Sequence, residues 1–114
     1  MWLIVALTLV GCREAKVDAS QSASAERGRL LLRQFGCGTC HSIPDVASAD
    51  GNIGPPLARV ARRVYLSGVL PNTRDNMARF IRAPHQFDPK IVMPDLQVSE
   101  VQARDMVDYL YTLR

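Results

Sequence analysis

The sequence predicts an all-α protein built from short helices, and two observations carry that prediction. Apolar residues recur at helical spacing in several separate stretches, and no stretch alternates apolar and polar residues as a half-buried strand would. Residues that commonly start helices precede several of these stretches, and glycine or proline follows. The positions expected to face inward are Leu31, Leu32, Phe35, Leu57, Val60, Ala61, Val64, Met77, Phe80, Ile81, Ala103, Met106, Val107, Leu110 and Leu113.

The first predicted helix covers about residues 25–35. Ser24 is placed to act as its N-cap, and Glu26 carries a favourable negative charge in its first turn. Gly36 then ends the helix. Gly28 lies inside it, where glycine is less favourable than alanine by about 1 kcal/mol. We therefore expect another helix to approach closely at Gly28.

Three further helices are predicted, separated by loops rich in glycine and proline. A short one covers about residues 57–64. The next, about 74–82, has Thr73 as its N-cap and ends before Pro84. The last begins with a capping box between Ser99 and Gln102 and runs to about residue 113.

The stretch Cys37-Gly38-Thr39-Cys40-His41 is typical of the attachment site of a c-type haem. Two cysteines three positions apart can each form a thioether with one vinyl group of the porphyrin. The adjacent His41 is then held where its imidazole can bind the iron. Spacing and residue types thus both have a chemical reason.

Two other interpretations of this motif were weighed. A thiol–disulfide couple would be expected within alternating strands and helices, which the sequence does not predict. A zinc site would need a fourth ligand, and the only other histidine, His85, has no second cysteine pair beside it. Haem attachment is therefore the favoured interpretation.

Length and composition suit one small globular domain. The chain has 114 residues, of which 47% are hydrophobic and 22% charged, with a formal net charge of +3. Two haem propionates would reduce that charge to about +1. Basic residues are interleaved with acids, so a nucleic-acid partner is not expected.

The N-terminus is predicted to be a lipoprotein signal peptide covering residues 1–11. An apolar run, WLIVALTLV, suits the core of such a signal and is too short for a membrane-spanning helix. Leu9-Val10-Gly11-Cys12 is similar to a bacterial lipobox, which makes Cys12 the expected lipidation site and explains the odd number of cysteines. An ordinary signal peptide cleaved nearby is the alternative.

Residues 12–25 are small, polar and without periodicity, so we predict a flexible tether. A coil of thirteen such residues would span roughly 20 Å. The remaining residues, 26–114, are predicted to form the haem domain. A disordered N-terminus without a function is the alternative for the tether.

With Gly54-Pro55-Pro56-Leu57 and Val92-Met93-Pro94 following the cysteine motif, the sequence resembles the class I cytochrome c family over about residues 26–114. Residues 68–96 look closest to the cytochrome c domains fused to subunit II of some bacterial haem–copper oxidases. The copper-binding Cys-x3-Cys segment of those subunits is absent from the sequence, which suggests a free-standing relative. The resemblance implies four to five short helices wrapped around one covalently bound haem c.

The resemblance also implies roles for individual residues. The Pro55 carbonyl would accept a hydrogen bond from the Nδ1–H of His41. Arg62 or Arg63, together with Tyr65, would pair with a haem propionate. The crossing of the first and last helices would be formed by Gly28, Leu32, Met106 and Tyr109. The sequence departs from many relatives at Phe80, where they carry tryptophan, and so lacks an indole donor toward the propionate.

Met93 is the predicted sixth ligand of the iron, because it lies in a loop among prolines that can present its thioether. Met77 and Met106 lie instead on apolar helix faces and are predicted to pack in the core. His85 is the rival ligand, and bis-histidine ligation would lower the reduction potential.

Charge is unevenly distributed along the chain. Between residues 59 and 82 there are six arginines and one acid, whereas between 86 and 113 there are five acids and two bases. A basic rim would attract acidic redox partners and raise their encounter rate. Solvated helix faces and propionate pairing are the alternative explanation.

Together these observations predict a monomeric, lipid-anchored monohaem cytochrome c that carries single electrons at the periplasmic, outer face of a bacterial cytoplasmic membrane. It is expected to be no enzyme. Expected partners are redox proteins, for example a haem–copper oxidase or another terminal reductase. The alternatives are a permanently docked subunit of such a complex and, less favoured, a haem sensor or enzyme with an open sixth site.

Overall fold

The computed structural model describes residues 12–114, with side chains from residue 19 onward. This part of the chain is mostly helical, which confirms the predicted class in its coarse form. It contains three α-helices: α1 (Cys12–Gln34), α2 (Arg74–Arg82) and α3 (Glu100–Leu110). Three single 3₁₀ turns cover Cys37–Thr39, Val60–Arg62 and Pro84–Gln86. The predicted signal peptide, residues 1–11, lies outside the described residues.

Helix α1 begins well before the predicted start. Ser24 is an internal residue of α1 and not its N-cap. Its hydroxyl oxygen lies 2.5 Å from a carboxylate oxygen of Asp108 in α3, which accepts its hydrogen, and 3.0 Å from the Gln21 carbonyl oxygen. Residues 12–25, predicted to be a flexible tether, have helical backbone in the structure, and their role as a tether stays a prediction. No glycine or proline interrupts this segment, so nothing in it breaks a helix that is already packed at Ser24.

The crossing of α1 and α3 is the main helix–helix contact. A Cβ placed on Gly28 would lie 1.9 Å from the carbonyl oxygen of Asp105, so the two backbones meet there as predicted. Leu32 and Met106 are buried at this crossing, and Arg27 closes it with two hydrogen bonds to Asp105, of 2.9 and 3.0 Å. Tyr109 is also buried and donates its hydroxyl hydrogen to the Pro44 carbonyl.

Helix α2 forms where it was predicted. The Thr73 hydroxyl accepts from the Asn76 amide at 3.1 Å, and the helix ends one residue before Ala83-Pro84. Met77 is buried on its inner face and α2 packs against α3.

The predicted capping box of α3 is present, with reciprocal hydrogen bonds between Ser99 and Gln102. The helix ends at Leu110, earlier than expected. The last residues form tighter turns, because the amides of Thr112 and Leu113 donate to carbonyls three residues back.

The helix predicted over residues 57–64 is reduced to the single 3₁₀ turn at Val60–Arg62. In an α-helix the Ala61 amide would donate to the Leu57 carbonyl. It donates instead to the carbonyl of Leu113, at 3.1 Å. A tertiary contact with the C-terminus thus replaces the helical hydrogen bond.

The expectation that the chain contains no strands is wrong in one place. Strand β1 (Tyr65–Leu66) pairs antiparallel with β2 (Leu70–Pro71). Ser67 and Gly68 both adopt positive φ in the connecting turn, with values of 51° and 69°. Strands of two residues are too short to show an alternating pattern.

The buried hydrophobic residues form one core among the three helices and the loops that join them. Its members are Leu32, Ile43, Val46, Val60, Leu66, Met77, Ala78, Phe80, Val98, Ala103, Met106, Val107, Tyr109 and Leu110. Among residues 12–114, none of the helices combines the length and apolar character needed to cross a membrane.

Candidate cofactor site

The cysteine motif directly follows α1. Gly36 takes a left-handed conformation, with φ 72°, which ends the helix and turns the chain into the 3₁₀ turn at Cys37–Thr39. The amides of Cys40 and His41 both donate to the Cys37 carbonyl, at 3.3 and 3.0 Å. The two sulfur-bearing residues and the histidine are therefore held in one compact turn.

A loop packs closely on that turn through two glycines. A Cβ on Gly38 would lie 2.5 Å from the Cα of Ala49, and one on Gly51 would lie 2.4 Å from the Thr39 carbonyl oxygen. The Gly51 amide also donates to the Gly38 carbonyl at 3.0 Å. The backbone of the motif is thus supported by the backbone of residues 42–54.

The imidazole of His41 is fixed from two sides. Its Nδ1 lies 2.7 Å from the Pro55 carbonyl oxygen, which accepts the hydrogen that Nδ1 carries. The backbone of Gly54 lies against the ring, since a Cβ there would be 2.4 Å from Cε1. A proton on Nδ1 leaves the lone pair of Nε2 available in the neutral ring.

Cys37 and Cys40 are both free thiols and both half-buried. Burial raises the pKa of the Cys37 thiol. A hydrogen bond to the backbone of Cys37 itself lowers this pKa, and repulsion from the Cys40 thiolate raises it, with a net upward shift. At neutral pH Cys37 is therefore protonated. A catalytic thiol–disulfide pair usually has a lowered pKa on its attacking cysteine, so this arrangement does not favour that alternative.

Among the side chains described, no three His, Cys, Asp or Glu residues are grouped so that they could hold a metal ion together. His85 is exposed in the 3₁₀ turn at Pro84–Gln86.

Met93 is half-buried and packs against the hydrophobic core from an irregular loop. Its neighbour Val92 is 81% exposed, so the chain turns the methionine side chain inward at this position. Met77 and Met106 are fully core residues, which confirms the packing role predicted for them. Of these three methionines, only Met93 lies outside a helix.

Of the three residues predicted to pair with a propionate, Arg63 contacts the proline loop. Arg62 is exposed, and Tyr65 is 57% exposed at the start of β1. The guanidinium of Arg63 donates to the carbonyl of Pro56, which directly follows Pro55, the residue whose carbonyl accepts from His41. Arg63 is thus a contact of the proximal loop, a role that the sequence did not indicate.

Two residues have roles at this site that were not predicted from the sequence. Gly54 was named only as part of the motif behind the resemblance, and the structure adds that its backbone packs on His41. Asn72 was treated as an ordinary loop residue, although its side chain joins three segments. A loop asparagine after proline gives little sign of such a role.

The basic and acidic stretches are partly paired with each other. Arg74 contacts Asp108 at 2.6 Å, and Arg104 contacts both Asp75, at 2.9 Å, and Glu100, at 3.1 Å. Exposed pairs of this kind contribute little to stability, because water and salt screen them. The charge asymmetry along the sequence is therefore reduced in three dimensions.

The donor set fits a c-type haem. Such a group requires two free thiols for the thioethers and an imidazole nitrogen for the iron, and all three are held in one turn with Nδ1 already hydrogen-bonded. Comparison with models of known protein families and with curated proteins finds no match to this sequence.

Proposed function

We propose that this protein is a single-electron carrier with one haem c, attached through Cys37 and Cys40 and ligated by His41 and Met93. The observation that carries the proposal is the hydrogen bond from His41 Nδ1 to the Pro55 carbonyl, made within the turn that holds two free thiols. This contact sets the tautomer and the direction of the ring before any metal is bound.

When bound, the haem supplies an iron that gains and loses one electron. The chain's own residues supply the rest. The Pro55 carbonyl makes Nε2 of the imidazole a stronger ligand by accepting a hydrogen bond from Nδ1–H, and Gly54 limits rotation of the ring. The Met93 thioether favours the ferrous state and so raises the reduction potential relative to a second imidazole.

The finer architecture, a small cytochrome c fold, belongs to the same proposal. Its support is the order of elements. A helix is followed by the cysteine motif, then by loops, the β1–β2 hairpin and α2, then by the loop with Met93, and finally by a last helix that crosses the first at Gly28. The described residues contain three α-helices, so the expected fourth is represented only by the turn at Val60–Arg62.

The proposed setting is the outer face of a bacterial cytoplasmic membrane, with a lipid on Cys12 and soluble or membrane-bound redox proteins as partners. A haem–copper oxidase or another terminal reductase suits this chemistry as the electron acceptor. A permanently docked subunit would use the same residues and differ only in its partner.

The test is haem content. The full chain is expressed in a bacterium that can attach haem to cysteines, and the purified protein is denatured and its absorption recorded. Haem that stays with the polypeptide after denaturation supports the proposal, whereas haem released from it, or absent, contradicts it. The Cys37→Ala/Cys40→Ala variant is the control and should carry none.

The same preparation separates the remaining alternatives. A low-spin reduced spectrum that carbon monoxide leaves unchanged supports a closed sixth site. Rapid binding of carbon monoxide would favour a sensor or enzyme. Co-purification of a second protein in mild detergent would identify a docked subunit.

A further inference from the structure

Asn72 connects three segments that are separate in the sequence. Its side-chain Nδ2 donates to the Val60 carbonyl at 2.9 Å and to the Arg63 carbonyl at 2.8 Å. Its Oδ1 accepts from the Tyr111 hydroxyl at 2.9 Å, and its backbone amide donates to Val64 at 2.9 Å. One half-buried side chain thus binds the turn at Val60–Arg62 to the C-terminal end of α3.

The segment that Asn72 holds leads directly to the histidine. The two hydrogen bonds from Asn72 Nδ2 hold the carbonyls of Val60 and Arg63, and they thereby fix the backbone of Arg63. The Arg63 guanidinium then donates to Pro56, whose neighbour Pro55 accepts from His41 Nδ1. Hydrogen bonds and rigid proline backbone therefore form a continuous connection from Tyr111 to His41.

We propose that Asn72 is a positioning residue for the haem ligand His41, acting through Arg63 and the Pro55-Pro56 loop. This inference rests on the proposed function, since it assigns a role toward the haem. Asn72 itself touches neither His41 nor the cysteines. It restricts the backbone from which Arg63 reaches the proximal loop.

The chemistry of the site requires an amide at this position. Nδ2 faces the carbonyl oxygens of Val60 and Arg63, so the group at this position must donate two hydrogen bonds. An aspartate of the same shape would keep the acceptor for Tyr111 but would set a carboxylate against two carbonyl oxygens. The Tyr111 hydroxyl fixes which end of the amide faces which partner, because it donates to Oδ1.

A second hydrogen bond between the turn at Val60–Arg62 and the C-terminus does not involve Asn72. The Ala61 amide donates to Leu113, and this bond remains in any Asn72 variant. The fold is therefore expected to survive the substitution while the turn at Val60–Arg62 loosens. A local effect can then be distinguished from unfolding.

The experiment compares Asn72→Asp and Asn72→Ala with Asn76→Ala in the haem-loaded full chain. Asn76 is the matched control. Its Nδ2 also donates to a loop carbonyl, that of Pro71, at 3.0 Å, and its Oδ1 accepts from Arg79, so neither side-chain bond is made to Arg63 or to the Pro55-Pro56 loop. The measurements are the hyperfine-shifted resonances of the His41 ring in the ferric protein, the reduction potential, and hydrogen exchange at residues 60–64.

Both Asn72 variants should shift the His41 resonances, lower the potential and speed exchange of the Arg63 amide, which donates to the Val60 carbonyl, at least tenfold. The potential falls because a loosened segment lets the positive Arg63 move away and water approach the site, which stabilises the ferric state. Asn76→Ala should leave all three measurements at wild-type values.

Unchanged His41 resonances and potential in Asn72→Asp, with haem bound, would overturn the positioning role. So would equal shifts in Asn76→Ala, since these would indicate a general loss of stability. A wild-type chain without covalent haem would overturn the proposed function and this inference together, so the two failures are distinguishable.

Discussion

The Cβ of any larger residue at Gly28 would lie only 1.9 Å from the carbonyl oxygen of Asp105. The obstacle is helix backbone, which cannot rotate away as a side chain can. The crossing of α1 and α3 therefore depends on glycine, and it also brings Arg27 onto Asp105.

Gly28→Ala should destabilise the protein although alanine is the better helix former. The helix-propensity gain is about 1 kcal/mol, whereas the helices must separate to admit the methyl group. Overpacking of this kind usually costs about 1–3 kcal/mol, so we expect a net loss in the free energy of unfolding. Denaturant unfolding followed by circular dichroism measures it.

Ser22→Ala is the matched control for that experiment. Ser22 is exposed on the same helix, six residues before Gly28, and its substitution should change stability by no more than about 0.5 kcal/mol. A Gly28→Ala variant as stable as Ser22→Ala would show that the crossing tolerates a Cβ.

Removal of the haem attachment should largely unfold the domain. Its core is small, and several apolar side chains outside it are half-buried or exposed. We therefore expect Cys37→Ala and Cys40→Ala each to lower the yield of haem-loaded protein sharply, and the double variant to lose most helical circular dichroism. A double variant with native helix content and no haem would contradict this prediction.

Met93→Ala should open the sixth coordination site to water or to His85 and lower the reduction potential. The native ferric protein should show the weak red absorption band of sulfur-to-iron ligation, and the variant should lose it. Retention of this band and of the native potential would rule out Met93 as the ligand, while the haem assignment would stand.

Met77→Ala is the control for Met93. Met77 is 3% exposed in the core, so truncation should cost about 2–5 kcal/mol of stability and leave the spectrum intact. The two methionines thus separate a change in ligation from a change in packing.

Cys12→Ser should release the protein from membranes or leave its precursor uncleaved, if Cys12 carries the lipid. Because α1 runs from Cys12, the twelve residues before Ser24 would span about 18 Å at 1.5 Å per residue, as a helical spacer. Mass spectrometry of the native N-terminus is the direct measurement. A mature chain that begins beyond Cys12 without an acyl group would indicate a soluble periplasmic carrier.

Elements with local signals were predictable from the sequence. Thr73 and Ser99 cap α2 and α3 through bonds to residues three positions on, so their positions follow from neighbouring residues alone. The need for close packing at Gly28 was predictable for the same reason, since glycine inside a helix requires a compensating contact.

Elements that depend on distant partners were not predictable. The start of α1 was missed because Ser24 suits an N-cap locally but binds Asp108 on another helix. The turn at Val60–Arg62 was taken for a helix because nothing nearby shows that the Ala61 amide will find Leu113.

For the candidate site, the sequence alone determined the chemistry: two thiols and an imidazole at fixed spacing, with a loop methionine as the expected second ligand. The resemblance had already implied that the Pro55 carbonyl holds the imidazole. Only the tertiary structure decided that Gly54 packs on the ring and that Arg63 and Asn72 support this loop. The physical reason is that donor atoms belong to residue types and are visible in the sequence. The hydrogen bonds that orient them join carbonyls and side chains many positions apart, and these meet only when the chain has folded.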